Sequence, residues 1–130
     1  MLNHSHVKCA GPATRALIGL FVLMLGALAH AADVTSVERR KIEYLIASIE
    51  TLPDAQFIRN GTAYDAKTAA SHLRLKLRSA GSRVVTAEDF IHFCASASSV
   101  SGIRYQIRFA NGRAVSSETY LRQKLAEFEP

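Results

Sequence analysis

Cysteine is scarce in this chain: two in 130 residues, Cys9 and Cys94. Cys9 falls in a leader-like N-terminal stretch, so a processed chain would keep a single thiol, which excludes an internal disulfide and a multi-cysteine zinc site. No apolar run reaches the roughly 20 residues that a membrane-spanning helix needs. The glycine-rich loop of a nucleotide-binding unit is missing too, since Asn60-Gly61 offers one glycine where the dinucleotide fingerprint requires three. There is no Gly-x-Ser-x-Gly elbow of the kind that presents a hydrolase serine. Internal repeats are absent, and the only low-complexity tract is serine-rich. Basic side chains outnumber acidic ones by 16 to 11, yet they are not crowded on one element, as a nucleic-acid footprint would require.

What is present begins with a targeting signal. Lys8 and Arg15 lie in a polar start, followed by a fourteen-residue apolar run from Ala16 to Ala29 and then Ala29-His30-Ala31. A positive region, an apolar segment and a small-x-small site read as a secretory signal peptide over residues 1–31, cut after Ala31. The shortness of the run favours cleavage over a retained anchor, leaving no stable membrane insertion. The remaining residues, 32–130, suit a single domain with one core. Without Lys8 and Arg15, fourteen basic side chains face eleven acidic ones, a mild excess of about three charges.

Along that domain the patterns alternate between helix and strand. Thr35-x-x-Glu38 has the form of a capping box, and Ile42, Leu45, Ile46 and Ile49 recur on one helical face until Leu52-Pro53-Asp54 ends it. Gln56 to Arg59 reads as a short strand running into the Asn60-Gly61 turn. Asp65 then caps a helix whose apolar stripe is Ala66, Ala69, Ala70, Leu73 and Leu77, ended by Gly81. His72 and Lys76 border that stripe. Thr86 with Asp89 caps a third helix, with Ala87, Phe90, Ile91 and Cys94 inward. After a polar loop from Ala95 to Gly102, Ile103, Tyr105, Ile107 and Phe109 alternate with Arg104, Gln106 and Arg108 as a half-buried strand. Asn111-Gly112 turns the chain back, and Ser116 or Ser117 caps a last helix with Leu121, Leu125 and Phe128 inward. The expected fold is α+β, with about four helices covering one face of a two- or three-stranded antiparallel sheet.

Three chemistries compete for the polar side chains. A serine hydrolase would draw Ser98, Ser99 or Ser101 together with His72 or His92 and an acid among Asp65, Glu88 and Asp89, although a Ser/Gly loop explains those serines without chemistry. Glu88 and His92, four apart on a helix, with His72, make a weak metal set that a surface ion pair explains equally well. The third is anion binding: Arg59, Arg104 and Arg108 lie on strands, and neighbouring strands would bring guanidiniums together near His72 and Lys76. Against it stands simple pairing of Arg59 and Lys76 with Glu88 and Asp89.

Taken together, Phe57-Ile58-Arg59-Asn60-Gly61, Tyr64, His72-Leu73 with Lys76, Ala87-Glu88-Asp89-Phe90-Ile91, Ser98-Ser99-x-Ser101-Gly102 and Tyr105-x-x-Arg108 resemble the small exported bacterial proteins grouped as domain of unknown function 5329. The resemblance runs from about Glu38 to Leu125. It implies a periplasmic or secreted single domain and carries no activity. Relatives look to have cysteines where this chain has Ala55 and Phe109, which implies that these two positions are close and that the two strand regions are neighbours. Their absence here speaks against a redox role.

The reading that follows is a non-enzymatic periplasmic or secreted binding module. Its expected site is Arg59, Asn60, His72, Lys76, Ser98, Ser99, Ser101 and Arg108. Its partner would be an anionic small molecule or an envelope protein, and neither nucleic acid, cofactor nor metal is expected. The alternative is a small hydrolase using a serine of the 98–101 loop with His72. Intact-mass measurement of the exported protein should give a chain beginning at Ala32; a mass that includes residues 1–31 would mean a retained leader.

Overall fold

Asn60 and Gly61 both adopt positive φ, 50° and 79°. That is the geometry of a two-residue type I′ turn, whose twist matches that of antiparallel strands. The turn joins strand β1 (Gln56–Arg59) to β2 (Thr62–Tyr64), with Arg59 opposite Thr62 and Phe57 opposite Tyr64. In this computed structural model, which describes residues 35–130, β1 also pairs with β3 (Gln106–Arg108), and β3 with β4 (Ala114–Ser116). The sheet is antiparallel throughout, in the order β2-β1-β3-β4. The β3–β4 connection carries Gly112 at φ 83°, with its amide bonded to the Phe109 carbonyl, and Asn111 Oδ1 accepting from the Arg113 amide.

Four helices complete the domain: α1 (residues 35–50), α2 (Ala66–Ala80), α3 (Ala87–Phe90) and α4 (Ser117–Ala126). Their starts are set by side chains that accept orphan amides. Asp65 Oδ1 takes the Thr68 amide at 2.7 Å, Thr86 and Asp89 form the reciprocal box, and Ser116 Oγ takes the Thr119 amide at 3.0 Å. After α3 the chain continues as a wider, π-type turn over Ile91–Ala95. Ser96 Oγ donates to the Ile91 carbonyl at 2.7 Å there.

The core lies between the helices and one sheet face. Leu45, Ile46 and Ile49 of α1, Ala70 of α2, Phe90 and Ile91 of α3, Cys94, Leu121 of α4 and Ile107 of β3 are fully buried, and Phe57 joins them from β1. Burying each large side chain contributes about 1.5–3 kcal/mol. Gln56, Gln106 and Arg108 are exposed on the opposite face, as period two requires. The Asp89 and Glu38 carboxylates hold the α3 start: Glu38 Oε2 accepts from the Ala87 amide at 2.8 Å while Oε1 meets Lys41 Nζ at 2.6 Å.

The structure departs from the sequence-based expectation in three places. The sheet has four strands rather than two or three, because β2 is only three residues long and too short to show an alternation. The expected strand from Ile103 to Phe109 is ordered as sheet only over Gln106–Arg108, and Ile103 stays 54% exposed rather than turning inward. Ala95 belongs to the turn that ends the third helix and not to the loop. The signal peptide expected over residues 1–31 lies outside the described residues, as does Cys9. Among the described residues no helix is long and apolar enough to cross a membrane.

Glu38 is held below its ordinary value of 4.5 by its bond from Lys41 and, next, by the Ala87 amide. A carboxyl with a depressed folded pKa contributes stability above its unfolded value and loses it as pH falls through the folded value. Glu38→Ala is therefore expected to cost about 1–2 kcal/mol at neutral pH and to lose less stability than the parent below pH 4.5. Urea titrations at neutral and acidic pH measure both; an unchanged acid limb would remove Glu38 from the account.

Candidate functional site

Arg59 ends β1 on the same side of the sheet as Phe57, two residues earlier. Across from it α2 presents His72 and Lys76, one turn apart, and β3 is preceded by Tyr105. These elements enclose a cleft of about 50 Å³, with Ile49, Phe57, Tyr64, Ala69 and Leu73 among its apolar lining and Arg59, His72, Lys76, Tyr105, Gln106 and Ser117 as its polar members. The Tyr64 ring meets His72 edge-on, with centroids 5.2 Å apart. The space admits a few water-sized groups, well below the roughly 300–1,000 Å³ of a pocket for a drug-sized ligand.

The cations of this cleft differ from the other half-buried cations described. Lys76 Nζ donates to the Ala97 carbonyl at 2.9 Å and to Tyr105 Oη at 3.2 Å, and lies 4.9 Å from the Tyr105 ring centroid. The Arg59 side chain makes no hydrogen bond or ion pair to a described residue. Elsewhere half-buried cations have acids: Lys41 has Glu38, Arg74 has Glu50 and Lys124 has Glu127. Among the described residues, Arg59 and Lys76 are thus the half-buried cations without a carboxylate, and both line one cleft. The pairing with Glu88 and Asp89 weighed from sequence does not form. Glu88 Oε2 meets Arg122 Nη1 at 2.7 Å, and Asp89 Oδ2 accepts from the Val85 and Thr86 amides.

Not all eight expected site residues gather here. Arg59, His72 and Lys76 do. Arg108 does not: Gln56 pairs with Arg108 and Phe57 with Ile107, so Arg108 lies on the outer face, 3.5 Å from Gln56 Oε1. The two strands are neighbours, as the resemblance implies, and one further step of the register sets Ala55 opposite Phe109, but Arg59 and Arg108 have opposite parity. Asn60 stands at the hairpin tip, its Oδ1 accepting from Ser101 Oγ at 2.7 Å. Ser98, only 4% exposed, accepts the Val100 and Ser101 amides at 3.4 Å. Ser99 is exposed.

The loop serines therefore serve the loop, and none of Ser98, Ser99 and Ser101 is hydrogen-bonded to His72 or His92. His92 meets the Phe93 ring edge-on, with centroids 4.7 Å apart. Among the described residues no three His, Cys, Asp or Glu side chains are grouped to hold a metal ion. Burial raises the Cys94 thiol above its ordinary range, with Lys76 and Arg83 offsetting it, so it is a packing residue. Sequence reasoning missed Tyr105 as a site residue; its inward parity with Ile107 was the available signal. Two larger hollows, about 310 and 330 Å³, carry less chemistry. In the first, Lys124 is paired and Tyr120 Oη is bonded to the Ser48 carbonyl; in the second, Asp65 is committed as a cap.

Comparison with known proteins bears on the chain as a whole. Residues 36–129 match a family of unknown function, DUF5329. The chain belongs to that family. It is also similar to the uncharacterized protein YfeK of Salmonella typhimurium, 39% identical over 84 residues, which cover 65% of this chain and 70% of YfeK. No solved structure matches.

For this DUF5329 chain the two cations should separate in a stability measurement. Lys76→Met keeps the apolar stem but leaves Ala97 O and Tyr105 Oη without their donor, at an expected cost of about 1–2 kcal/mol. Arg59→Gln breaks no internal bond and should stay within about 0.5 kcal/mol of the parent. Urea unfolding of both variants checks this; equal losses would make Arg59 a structural tie as well.

Proposed function

We propose that this protein is an exported, periplasmic or secreted binding module that holds a small anionic group carrying an apolar substituent, with the cleft between β1, α2 and Tyr105 as its site. One observation carries the reading: Arg59 and Lys76 are half-buried in the same cleft without an acid, in a domain whose other half-buried cations are paired. A half-buried cation is ordinarily paired, because desolvation without a counter-charge is costly. A bound carboxylate or phosphate would supply that charge, and the guanidinium fork of Arg59 suits either geometry. Lys76 retains one of its three donors after Ala97 and Tyr105 are served. The apolar lining asks for more than an inorganic anion. The export assignment rests on the leader-like residues 1–31.

The serine-hydrolase alternative gains no support from the geometry, since the loop serines and His72 are not joined. The binding reading is tested with isobutyrate, whose branched apolar end and carboxylate match the cleft in size and chemistry, against neutral isobutyramide. In amide chemical-shift titrations isobutyrate should move the resonances of Arg59, His72, Lys76 and Tyr105, with the effect lost in Arg59→Gln. Shifts of equal size with isobutyramide, or shifts indifferent to Arg59, would sink the reading.

A further inference from the structure

Beside the cleft stands a loop with exposed apolar side chains on an ordered frame. Residues 98–103 close on themselves through Ser98 N to Ile103 O and Gly102 N to Ser98 O, both 2.9 Å, while Ser98 Oγ receives two amides inside. The loop is tied to the cleft at two points. Lys76 Nζ bonds the Ala97 carbonyl at its start, and Ser101 Oγ bonds Asn60 at the hairpin tip that follows Arg59. On this frame Val100 is 94% exposed and Ile103 54%. Single exposed apolar residues are common on protein surfaces. Here two of them sit on a braced loop anchored to the rim of a cationic cleft.

The size of the cleft restricts the ligand. About 50 Å³ of space suits a small apolar group, such as the side chain of alanine or valine. The ligand must therefore carry its charge within one or two bonds of a small apolar group. The terminal residue of a polypeptide does this: its α-carboxylate and its side chain share one Cα. A bare carboxylic acid also does it, but leaves Val100 and Ile103 uncovered. A chain terminus continues outward from the cleft, and its preceding residues can cover them.

Resting on the binding reading above, we propose that the cleft takes the free C-terminus of a partner polypeptide whose last residue is small and apolar. The α-carboxylate meets Arg59 and Lys76, the terminal side chain enters between Phe57 and Leu73, and the upstream residues lie against Val100 and Ile103. Capture of a C-terminal carboxylate is an established mode of peptide recognition, and the charge complementarity here comes from the two cations that lack an internal acid.

The test uses the folded chain from Ala32 onward and a fluorescent hexapeptide ending in valine with a free carboxylate. Two controls accompany it, the C-terminal amide of the same peptide and isobutyrate. The free-acid peptide should bind more tightly than isobutyrate, and the amide should bind at least about tenfold more weakly, by loss of a charge-assisted pair. Val100→Ser, at a position with no packing partner to lose, should weaken the peptide and leave isobutyrate unchanged. If isobutyrate binds in an Arg59-dependent way but the peptide gains nothing over it, the binding reading stands and the C-terminus proposal fails. Equal binding of acid and amide peptides overturns the proposal too, and an absence of Arg59-dependent binding by any acid overturns both.

Discussion

The pairing of β1 with β3 is the constraint on which the rest of this domain depends. It joins residues some fifty positions apart, as the Gln56–Arg108 contact shows with a separation of 52, and it sits at the middle of the four-stranded sheet. Its register decides which side chains see the core, since a slip of one residue would invert every side chain on the strand. With Phe57 opposite Ile107, both large side chains are inward and the core closes against the helices. The same register places Arg59 on the core side, at the end of the strand where the cover thins, and sends Arg108 to solvent. The cleft and a bare outer face thus follow from a single alignment.

The helices are positioned by local devices and then tied together by a few longer ones. Asp65, Thr86 with Asp89, and Ser116 each satisfy amides within one turn. Glu38 differs, since its carboxylate reaches 49 positions along the chain to the Ala87 amide at the start of α3. Arg74 with Glu50 joins α2 to the end of α1 across 24 positions. These pairs consume acids, and Arg104 and Arg122 share Glu118 in the same way. What is left over is informative: the acids near the cleft are committed elsewhere, so Arg59 and Lys76 keep their charge uncompensated by the described chain.

The serine-rich loop shows how a suggestive composition resolves into structure. Ser98 folds inward and gathers amides, and Ser101 clips the loop to Asn60. Val100 and Ile103 stay exposed on the loop so braced. Lys76, by bonding Ala97, makes the loop and the cleft one mechanical unit.

How much of this was legible in the residues depends on distance along the chain. The sequence by itself determined the helices, their caps, the Asn60-Gly61 and Asn111-Gly112 turns, the inward placement of Phe90, Ile91 and Cys94, and the α+β class. Each of these is decided by residues within a turn or two of one another, where periodicity, capping and φ preference act. Tertiary structure alone decided that Thr62–Tyr64 is a strand, that Arg59 and Arg108 part to opposite faces, that Glu88 and Asp89 serve Arg122 and the α3 cap rather than the cleft, and that Tyr105 lies beneath Lys76. Those outcomes rest on strand register and on competition among distant charges. A charge in sequence carries no mark of which partner wins, because the winner is set by which side chains the folded backbone brings within a few ångströms.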